Sequence, residues 1–189
     1  LPQENWVSTI ARPGFGGDSE GEVTLYDLIK SAVRHRPALI LVGEIRGEEA
    51  YVLFQALATG HGGLCTTHAE DVETVMKRLT QPPMNIPEGI LPLMNCVIVV
   101  KQVKTPNYIL SDRKVSTRKF VRISEINNSG TIIDTFNWNS TTDTFQDNLE
   151  ESFLLNKIAK ALDVPYSVVM QELERRKQIL LQMVEKNLR

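Results

Sequence analysis

The chain has 189 residues, of which 42% are apolar and 23% charged, and its formal net charge is −2. These values are typical of a globular protein with one core and a smaller second unit. The net charge is too small to suggest a general electrostatic attraction to nucleic acid or to a membrane surface. The longest apolar run, residues 90–100, contains Pro92 and falls short of the roughly 20 residues of a membrane-spanning helix. The chain has two cysteines, Cys65 and Cys96, and no apparent signal peptide, which favours free thiols in the cytosol.

Up to about residue 104 the sequence alternates strand and helix signals, which predicts an α/β layer with a parallel sheet. Helices are expected from the cap Thr24 to His35-Arg36, from Glu48 to Thr59 with Gly60 as the C-terminal cap, and from the cap Asp71 to about Gln81. Strands are expected at Trp6–Ala11, Ala38–Val42, Leu64–Thr67 and Cys96–Val100. Because Ala38–Val42 is continuously apolar, we expect a central strand with both faces covered.

The pattern changes after residue 104. Two β-prone runs, Lys119–Ile126 and Thr131–Trp138, flank Asn127-Asn128-Ser129-Gly130, which predicts an antiparallel hairpin. Two helices are expected to follow, at Leu149–Leu162 and Pro165–Leu188. The predicted domains are therefore residues 1–104 and residues 105–189.

Glu44 follows directly after the predicted strand that ends at Val42. Ligands of open α/β sheets bind beyond the carboxyl ends of the strands, where a carboxylate can orient a water for attack on a terminal phosphate. The alternative is a glutamate that only caps a turn. Thr67 and His68 end the next predicted strand and are expected at the same sheet edge, which favours the catalytic interpretation of Glu44 and adds an imidazole beside a phosphate.

Two other chemistries compete at this edge. His61, Cys65, His68 and Asp71 are competent metal ligands within eleven positions, but their spacing matches no compact zinc pattern, and the glycines around His61 disfavour a shared helical face. Arginines could neutralise phosphate charge, with Arg46 two residues beyond Glu44. The candidates are Arg12, Arg34, Arg36 and Arg46, of which Arg34 and Arg36 fit solvated charges at a helix end.

Three spaced motifs carry a family resemblance. Leu41-Val42-Gly43-Glu44-Ile45-Arg46, Ala58-Thr59-Gly60-His61-Gly62-Gly63 and Thr66-Thr67-His68-Ala69 together resemble the traffic ATPases of type II and type IV secretion, pili and archaella. Thr67 is a departure, since the family commonly has leucine before this histidine. Several less specific segments are similar to the archaeal branch of this family: Leu1–Trp6, Arg12, Trp138, Asp143–Phe145 and Leu173–Lys177.

The resemblance implies a partial RecA-like core and specific residue roles. The first motif corresponds to an atypical Walker B segment with Glu44 as the catalytic base, which also meets Mg²⁺ through a water. The third corresponds to the histidine box, with His68 near the terminal phosphate. Arg46, Arg12 and Thr67 are the implied nucleotide contacts, and Arg12 could act in trans within a homohexamer.

The family's nucleotide-holding loop is not among these 189 residues, since no glycine is followed by lysine and the P-loop spacing does not occur. The expectation is therefore a chain that starts within the motor domain and that neither binds ATP tightly nor hydrolyses it by itself. In the full-length protein the resemblance implies ATP and Mg²⁺, membrane platform proteins as partners, and a cytoplasmic location at the inner face of the cell membrane. It implies no direct contact with nucleic acid and no insertion into the membrane.

Two functions of other classes stay open. The chain could be a noncatalytic module whose hairpin and helices form an oligomer or dock a partner. It could also be a small metal-dependent hydrolase. The motifs do not distinguish a pilus, an archaellum, a secretion system and a DNA transporter, because those machines share the motor.

Overall fold

The computed structural model describes residues 4–14, 21–103 and 117–188. The chain divides into two compact units between Met94 and Asn95. The sequence-based boundary at residue 104 falls later, because the strand that begins at Cys96 pairs with strands that follow it in the chain. In the described part of the chain no helix is long and apolar enough to cross a membrane.

The first unit is built on two parallel strands joined by a helical crossover. Strand β1 (Leu39–Val42) pairs with β2 (Gly62–Cys65), and the register runs from Leu39 opposite Gly62 to Val42 opposite Cys65. The helices are α1 (Leu25–Arg34), α2 (Glu49–Ala58) and α3 (Val72–Thr80), and a 3₁₀ segment covers Glu88–Met94. The predicted βαβ arrangement is confirmed.

Local signals explain where the helices begin and end. Thr24 accepts a hydrogen bond from the backbone N–H of Asp27 while the Asp27 carboxylate accepts one from that of Thr24, which is a capping box. Asp71 caps α3 through the N–H of Thr74. After α2 the chain turns at Gly60, whose φ of 95° is a conformation that suits glycine. These caps agree with the sequence-based bounds.

Among the described elements of the first unit, helix α2 supplies the largest share of the buried apolar side chains. Its buried side chains include Leu53 and Phe54, which are 1% and 2% exposed, and the helix contacts α1 and the 3₁₀ segment Glu88–Met94. The continuous apolar character of this helix is what the sequence predicts for a buried element.

The strands of the first unit are less covered than predicted. Ile40 and Val42 of β1 are buried, but Leu39 and Leu41 are 49% and 42% exposed, and Leu64 of β2 is 63% exposed. The prediction of a strand covered on both faces is therefore wrong for the described residues, because alternate side chains face solvent. The sheet of this unit has two strands, so β1 has one paired neighbour here and is not central.

The predicted strand at Trp6–Ala11 does not form. Val7 and Ile10 are 84% and 87% exposed, and the regular pairing near this segment is a single antiparallel bridge between Arg12 and Val23. The segment is β-prone, but within the described residues no strand hydrogen-bonds to it, so propensity by itself is insufficient.

The second unit is an antiparallel sheet in the order β3-β4-β5-β6. Its strands are Cys96–Val103, Thr117–Ile126, Ile132–Asn139 and Thr144–Asp147. The predicted hairpin of β4 and β5 is confirmed, and Asn127 organises its turn by accepting hydrogen bonds from the N–H groups of Ser129 and Thr131. Strand β6 is not among the predicted strands, and β3 falls within the predicted first domain.

Two helices end the described chain. A 3₁₀ turn at Leu149–Glu151 precedes α4 (Phe153–Leu162), and α5 (Tyr166–Glu185) follows and packs against α4. The helix predicted over Leu149–Leu162 is interrupted at Ser152, whose hydroxyl caps α4 by accepting a hydrogen bond from the N–H of Leu155. The predicted order, a parallel α/β part followed by antiparallel strands and C-terminal helices, is confirmed.

Candidate functional site

The residues after β1 and β2 meet at one edge of the parallel sheet. Glu44 lies two positions beyond the end of β1, and His68 three positions beyond the end of β2. Because parallel neighbours end at the same edge, their side chains converge. The His68 Nε2 lies 3.7 Å from the Glu44 Oε1.

Both side chains reach solvent. The Glu44 side chain is 41% exposed and that of His68 is 88% exposed. At 3.7 Å the two atoms are too far apart for a good direct hydrogen bond but close enough for a bridging water or for electrostatic attraction when the imidazole is protonated. The pair therefore presents an acceptor and an imidazole to the same open space.

Backbone and hydroxyl contacts join the two segments beyond the last strand pair. The N–H of Ile45 donates to the carbonyl of Thr66 at 2.9 Å. The Thr66 hydroxyl donates to the carbonyl of Gly43 at 2.5 Å, and the Thr67 hydroxyl donates to the carbonyl of Ile45 at 3.1 Å. The two carbonyls that accept these hydroxyls belong to the residues on either side of Glu44.

The turn between Glu44 and α2 is organised by Glu49. Its Oε1 accepts the N–H of Arg46 at 2.7 Å and that of Gly47 at 2.9 Å. Burial by itself raises the pKa of Glu49, but these amide hydrogen bonds and the Arg46 charge outweigh it and hold the pKa below its ordinary value. Sequence reasoning missed Glu49, although an acidic residue in the first turn of a helix is a recognisable signal.

The candidate arginines have different surroundings. The Arg46 side chain is exposed next to this turn. Arg12 donates from Nε and Nη2 to the carbonyl of Gly21 at 2.9 and 2.7 Å, so its guanidinium is engaged with the backbone. Arg78 on α3, which sequence reasoning did not single out, donates from Nη1 to the carbonyl of His68. A basic residue in the last turn of α3 is its only sequence signal.

The residues of the metal-site alternative have different surroundings. The His61 Nδ1 lies 3.1 Å from the carbonyl of Ala56, close to the C-terminus of α2. Asp71 caps α3, and Cys65 is an exposed free thiol at the end of β2. Within residues 4–14, 21–103 and 117–188, no group of three or more histidine, cysteine, aspartate or glutamate side chains is arranged to hold a metal ion.

A comparison with known families assigns the chain. The family described as type II/IV secretion system protein matches residues 3–122, which is more than half of the sequence and includes Glu44 and His68. The chain belongs to this family.

Relatives of this secretion-family chain occur in archaea and bacteria. It is 38% identical over 181 residues to an uncharacterized protein of Methanocaldococcus jannaschii, covering 95% of the chain and 66% of that protein. It is 36% identical over 94 residues to the type IV secretion system protein PtlH of Bordetella pertussis, covering 47% of the chain and 28% of PtlH. It is 48% identical over 60 residues to a putative conjugal transfer protein of Mycobacterium tuberculosis, covering 31% of the chain and 17% of that protein.

Proposed function

We propose that the chain is the C-terminal half of the motor domain of an ATPase that couples ATP hydrolysis to protein export or filament assembly. The observation that carries this proposal is the meeting of Glu44 and His68 at the carboxyl edge of the parallel sheet, 3.7 Å apart, in a chain of the secretion family. In this proposal the first unit is the later part of a RecA-like core.

Glu44 would act as the base that orients a water for attack on the terminal phosphate. Its half-exposed carboxylate can accept a proton or a hydrogen bond from a water in the open space beside the sheet edge. Phosphoryl transfer depends mainly on positioning and charge stabilisation, so a carboxylate placed at this edge of the sheet suits the reaction. His68 would support the phosphate end from the neighbouring segment.

Cationic and polar neighbours would contact the phosphates. Arg46 is exposed beside the turn that follows Glu44, so its guanidinium is accessible to a phosphate bound at this edge of the sheet. Arg12 would have to leave the carbonyl of Gly21 to reach a phosphate, either in its own site or in that of a neighbouring subunit. Thr67 is the third contact that the family resemblance implies, but its hydroxyl proton is donated to the carbonyl of Ile45, so we do not propose it as a donor to a phosphate.

Mg²⁺ would accompany ATP, and the described donors fit only a supporting role towards it. Glu44 offers one half-exposed carboxylate, and no cluster of three ligands occurs in the part of the chain that the structure describes. An interaction of Glu44 with Mg²⁺ through a water is compatible with this donor set. Because no P-loop sequence occurs in these 189 residues, we expect them not to bind ATP tightly or hydrolyse it by themselves.

The proposed setting is a homohexameric motor at the cytoplasmic face of the cell membrane, held there by platform proteins of a secretion or pilus system. The Bordetella and Mycobacterium relatives are named for type IV secretion and conjugal transfer, respectively. These names support a transport machine and leave its kind open, whether pilus, archaellum, secretion system or DNA transporter.

The test is steady-state phosphate release by the longer protein that contains this chain. Glu44→Gln keeps the shape of the side chain and removes the base, so we expect turnover to fall by at least about 10²-fold while nucleotide binding persists. Glu48→Gln, an exposed acid before α2, is the matched control and should keep turnover. Wild-type turnover in Glu44→Gln would refute the assignment of the base.

A noncatalytic oligomerisation or docking module is the second candidate. It is favoured by apolar side chains near the end of the described chain, where Leu180, Val184 and Leu188 are 61%, 77% and 58% exposed. It predicts that the double variant Leu180→Gln with Val184→Gln forms a smaller assembly in analytical ultracentrifugation than the wild type. Glu44→Gln should leave the mass of the assembly unchanged. A monomeric wild-type chain that binds no partner in pull-downs would remove this candidate.

A further inference from the structure

We propose that Thr66 and Thr67 form a two-point clamp that positions Glu44 relative to His68. In this role they are positioning residues and do not touch the nucleotide. The inference rests on the proposed function of Glu44 for its catalytic consequence, but the clamp itself is a property of the described geometry.

The clamp begins where the sheet ends. Regular pairing of β1 with β2 stops at Val42 opposite Cys65. Beyond this point three hydrogen bonds continue the connection, and two of them use threonine hydroxyls in place of backbone amides. The two segments would otherwise be held by the single bond from the N–H of Ile45 to the carbonyl of Thr66.

The positions of the acceptors define what the clamp holds. The Thr66 hydroxyl binds the carbonyl before Glu44, and the Thr67 hydroxyl binds the carbonyl after it. The Thr66 bond holds the peptide group before Glu44, the bond from the N–H of Ile45 to the carbonyl of Thr66 holds the one after it, and the Thr67 bond holds the next one. Together these bonds restrict the backbone dihedrals of Glu44 and therefore the direction of its side chain. An exposed carboxylate that lacks a strong partner of its own can be oriented in this way through its backbone.

The same segment carries His68. Because His68 follows Thr67 directly, any displacement of the clamp moves the imidazole relative to the carboxylate. Arg78 binds the carbonyl of His68 from α3 and so fixes the other end of this short segment. The distance of 3.7 Å between Glu44 and His68 is thus set by contacts made beside these two residues.

The hydroxyl protons of Thr66 and Thr67 distinguish the clamp from a direct contact with phosphate. A threonine hydroxyl has one proton to donate, and phosphate oxygens accept hydrogen bonds but do not donate them. The protons of Thr66 and Thr67 are both directed to backbone carbonyls. In this geometry neither hydroxyl is a donor to a phosphate, so the contribution of Thr67 is positional.

The first experiment measures the geometry in the 189-residue chain without nucleotide. Glu44→Gln changes the charge beside His68 and should shift the NMR resonances of its imidazole. In the background Thr66→Val with Thr67→Val, which keeps the side-chain shape, the same change should shift them by less than half as much. Equal shifts in both backgrounds would overturn the clamp, whatever the function of the protein.

The second experiment measures the consequence in the longer protein. A misplacement of about 1 Å can cost about 10²-fold in rate, so we expect the valine pair to lower kcat by about tenfold or more with KM unchanged. The serine pair, Thr66→Ser with Thr67→Ser, keeps both donors and should restore at least half of kcat. An increase in KM alone would instead indicate nucleotide contact and overturn the clamp.

Controls keep the outcomes distinct. Thr80→Val removes a hydroxyl that donates to helix carbonyls of α3, and it should leave both kcat and the His68 resonances unchanged. If the valine pair does not fold, Thr67→Val alone retains the Thr66 contact and is measured in both experiments. If Glu44→Gln keeps full turnover, the proposed base is wrong while the NMR result still decides the clamp. Wild-type kcat in the valine pair together with an inactive Glu44→Gln would overturn the clamp alone.

Discussion

The hydroxyl of Ser152 donates a 2.8 Å hydrogen bond to the Oε1 of Glu125, and both residues are buried. The other carboxylate oxygen accepts the N–H of Leu154 at 2.9 Å. Ser152 also accepts the N–H of Leu155, so the first turn of α4 is joined to β4 through one serine and one glutamate. The buried carboxylate thus accepts one amide of the helix N-terminus, and the serine hydroxyl accepts a second.

Ser152→Ala should destabilise the second unit by about 1–3 kcal/mol, because it removes the helix cap and leaves an oxygen of Glu125 without its donor. Urea denaturation followed by hydrogen exchange of α4 measures this change. Ser167→Ala, at an exposed position of α5, is the control and should stay within about 0.5 kcal/mol of the wild type. Equal stability of the two variants would show that Glu125 finds another donor without cost.

We expect Asp134 to make the antiparallel sheet less stable as the pH falls into the acid range. Burial by itself raises its pKa, but hydrogen bonds from the Arg122 Nε at 2.8 Å and the Ser124 hydroxyl at 2.6 Å, with the Arg122 charge, hold the pKa below the ordinary 3.8. A lowered pKa in the folded state gives stability that is present above the ordinary value and is lost as pH falls through the folded value.

We therefore expect Asp134→Asn to be less stable than the wild type at about pH 6 and to approach it as the pH falls below the ordinary value of 3.8. Thermal denaturation across this range tests the expectation. Asp147→Asn on β6, where the side chain is exposed, serves as the control. A stability difference that stays constant from neutral to acid pH would contradict the electrostatic origin.

Features encoded in short stretches of sequence were the predictable part of this fold. The capping residues Thr24 and Asp71 each start a helix by accepting the backbone N–H of the residue three positions later. The hairpin turn is formed by Asn127 and its neighbours. The approach of Glu44 to His68 followed from a general rule on parallel strand ends, which needs only the strand order. Each of these depends on local chemistry or topology.

The predictions that failed concern features that depend on contacts with residues distant in sequence. The apolar run Cys96–Val103 is compatible with either sheet, and its pairing with β4 is decided by contacts across a long stretch of chain. Trp6–Ala11 has the residues of a strand but no partner in the described structure. The four residues of β6 are all exposed and carry no apolar alternation that could have revealed them. The Thr66 and Thr67 contacts likewise require knowing which carbonyls lie opposite.

Gly63 lets β2 lie close to α2. A Cβ at this position would lie 2.7 Å from the Leu57 Cδ2 and 3.6 Å from the Leu53 Cδ1, whereas one at Gly43 would meet nothing within 4 Å. We expect Gly63→Ala to destabilise the first unit by about 1–3 kcal/mol through overpacking, and Gly43→Ala to be close to neutral. Chemical denaturation of both variants measures the difference. Equal stability would mean that Leu57 moves aside without cost.

Glu49 should control the turn that follows Glu44. Its carboxylate accepts two backbone amides, and its lowered pKa means that this stability is present above the ordinary value of 4.5 and is lost as pH falls through the folded value. We expect Glu49→Gln to increase hydrogen exchange at the amides of Arg46 and Gly47 at neutral pH, and the wild type to approach this exchange pattern, after correction for intrinsic rates, in acid. Glu48→Gln is the control, because Glu48 makes no side-chain cap to α2. Unchanged protection in Glu49→Gln would show that the turn is held by the backbone alone.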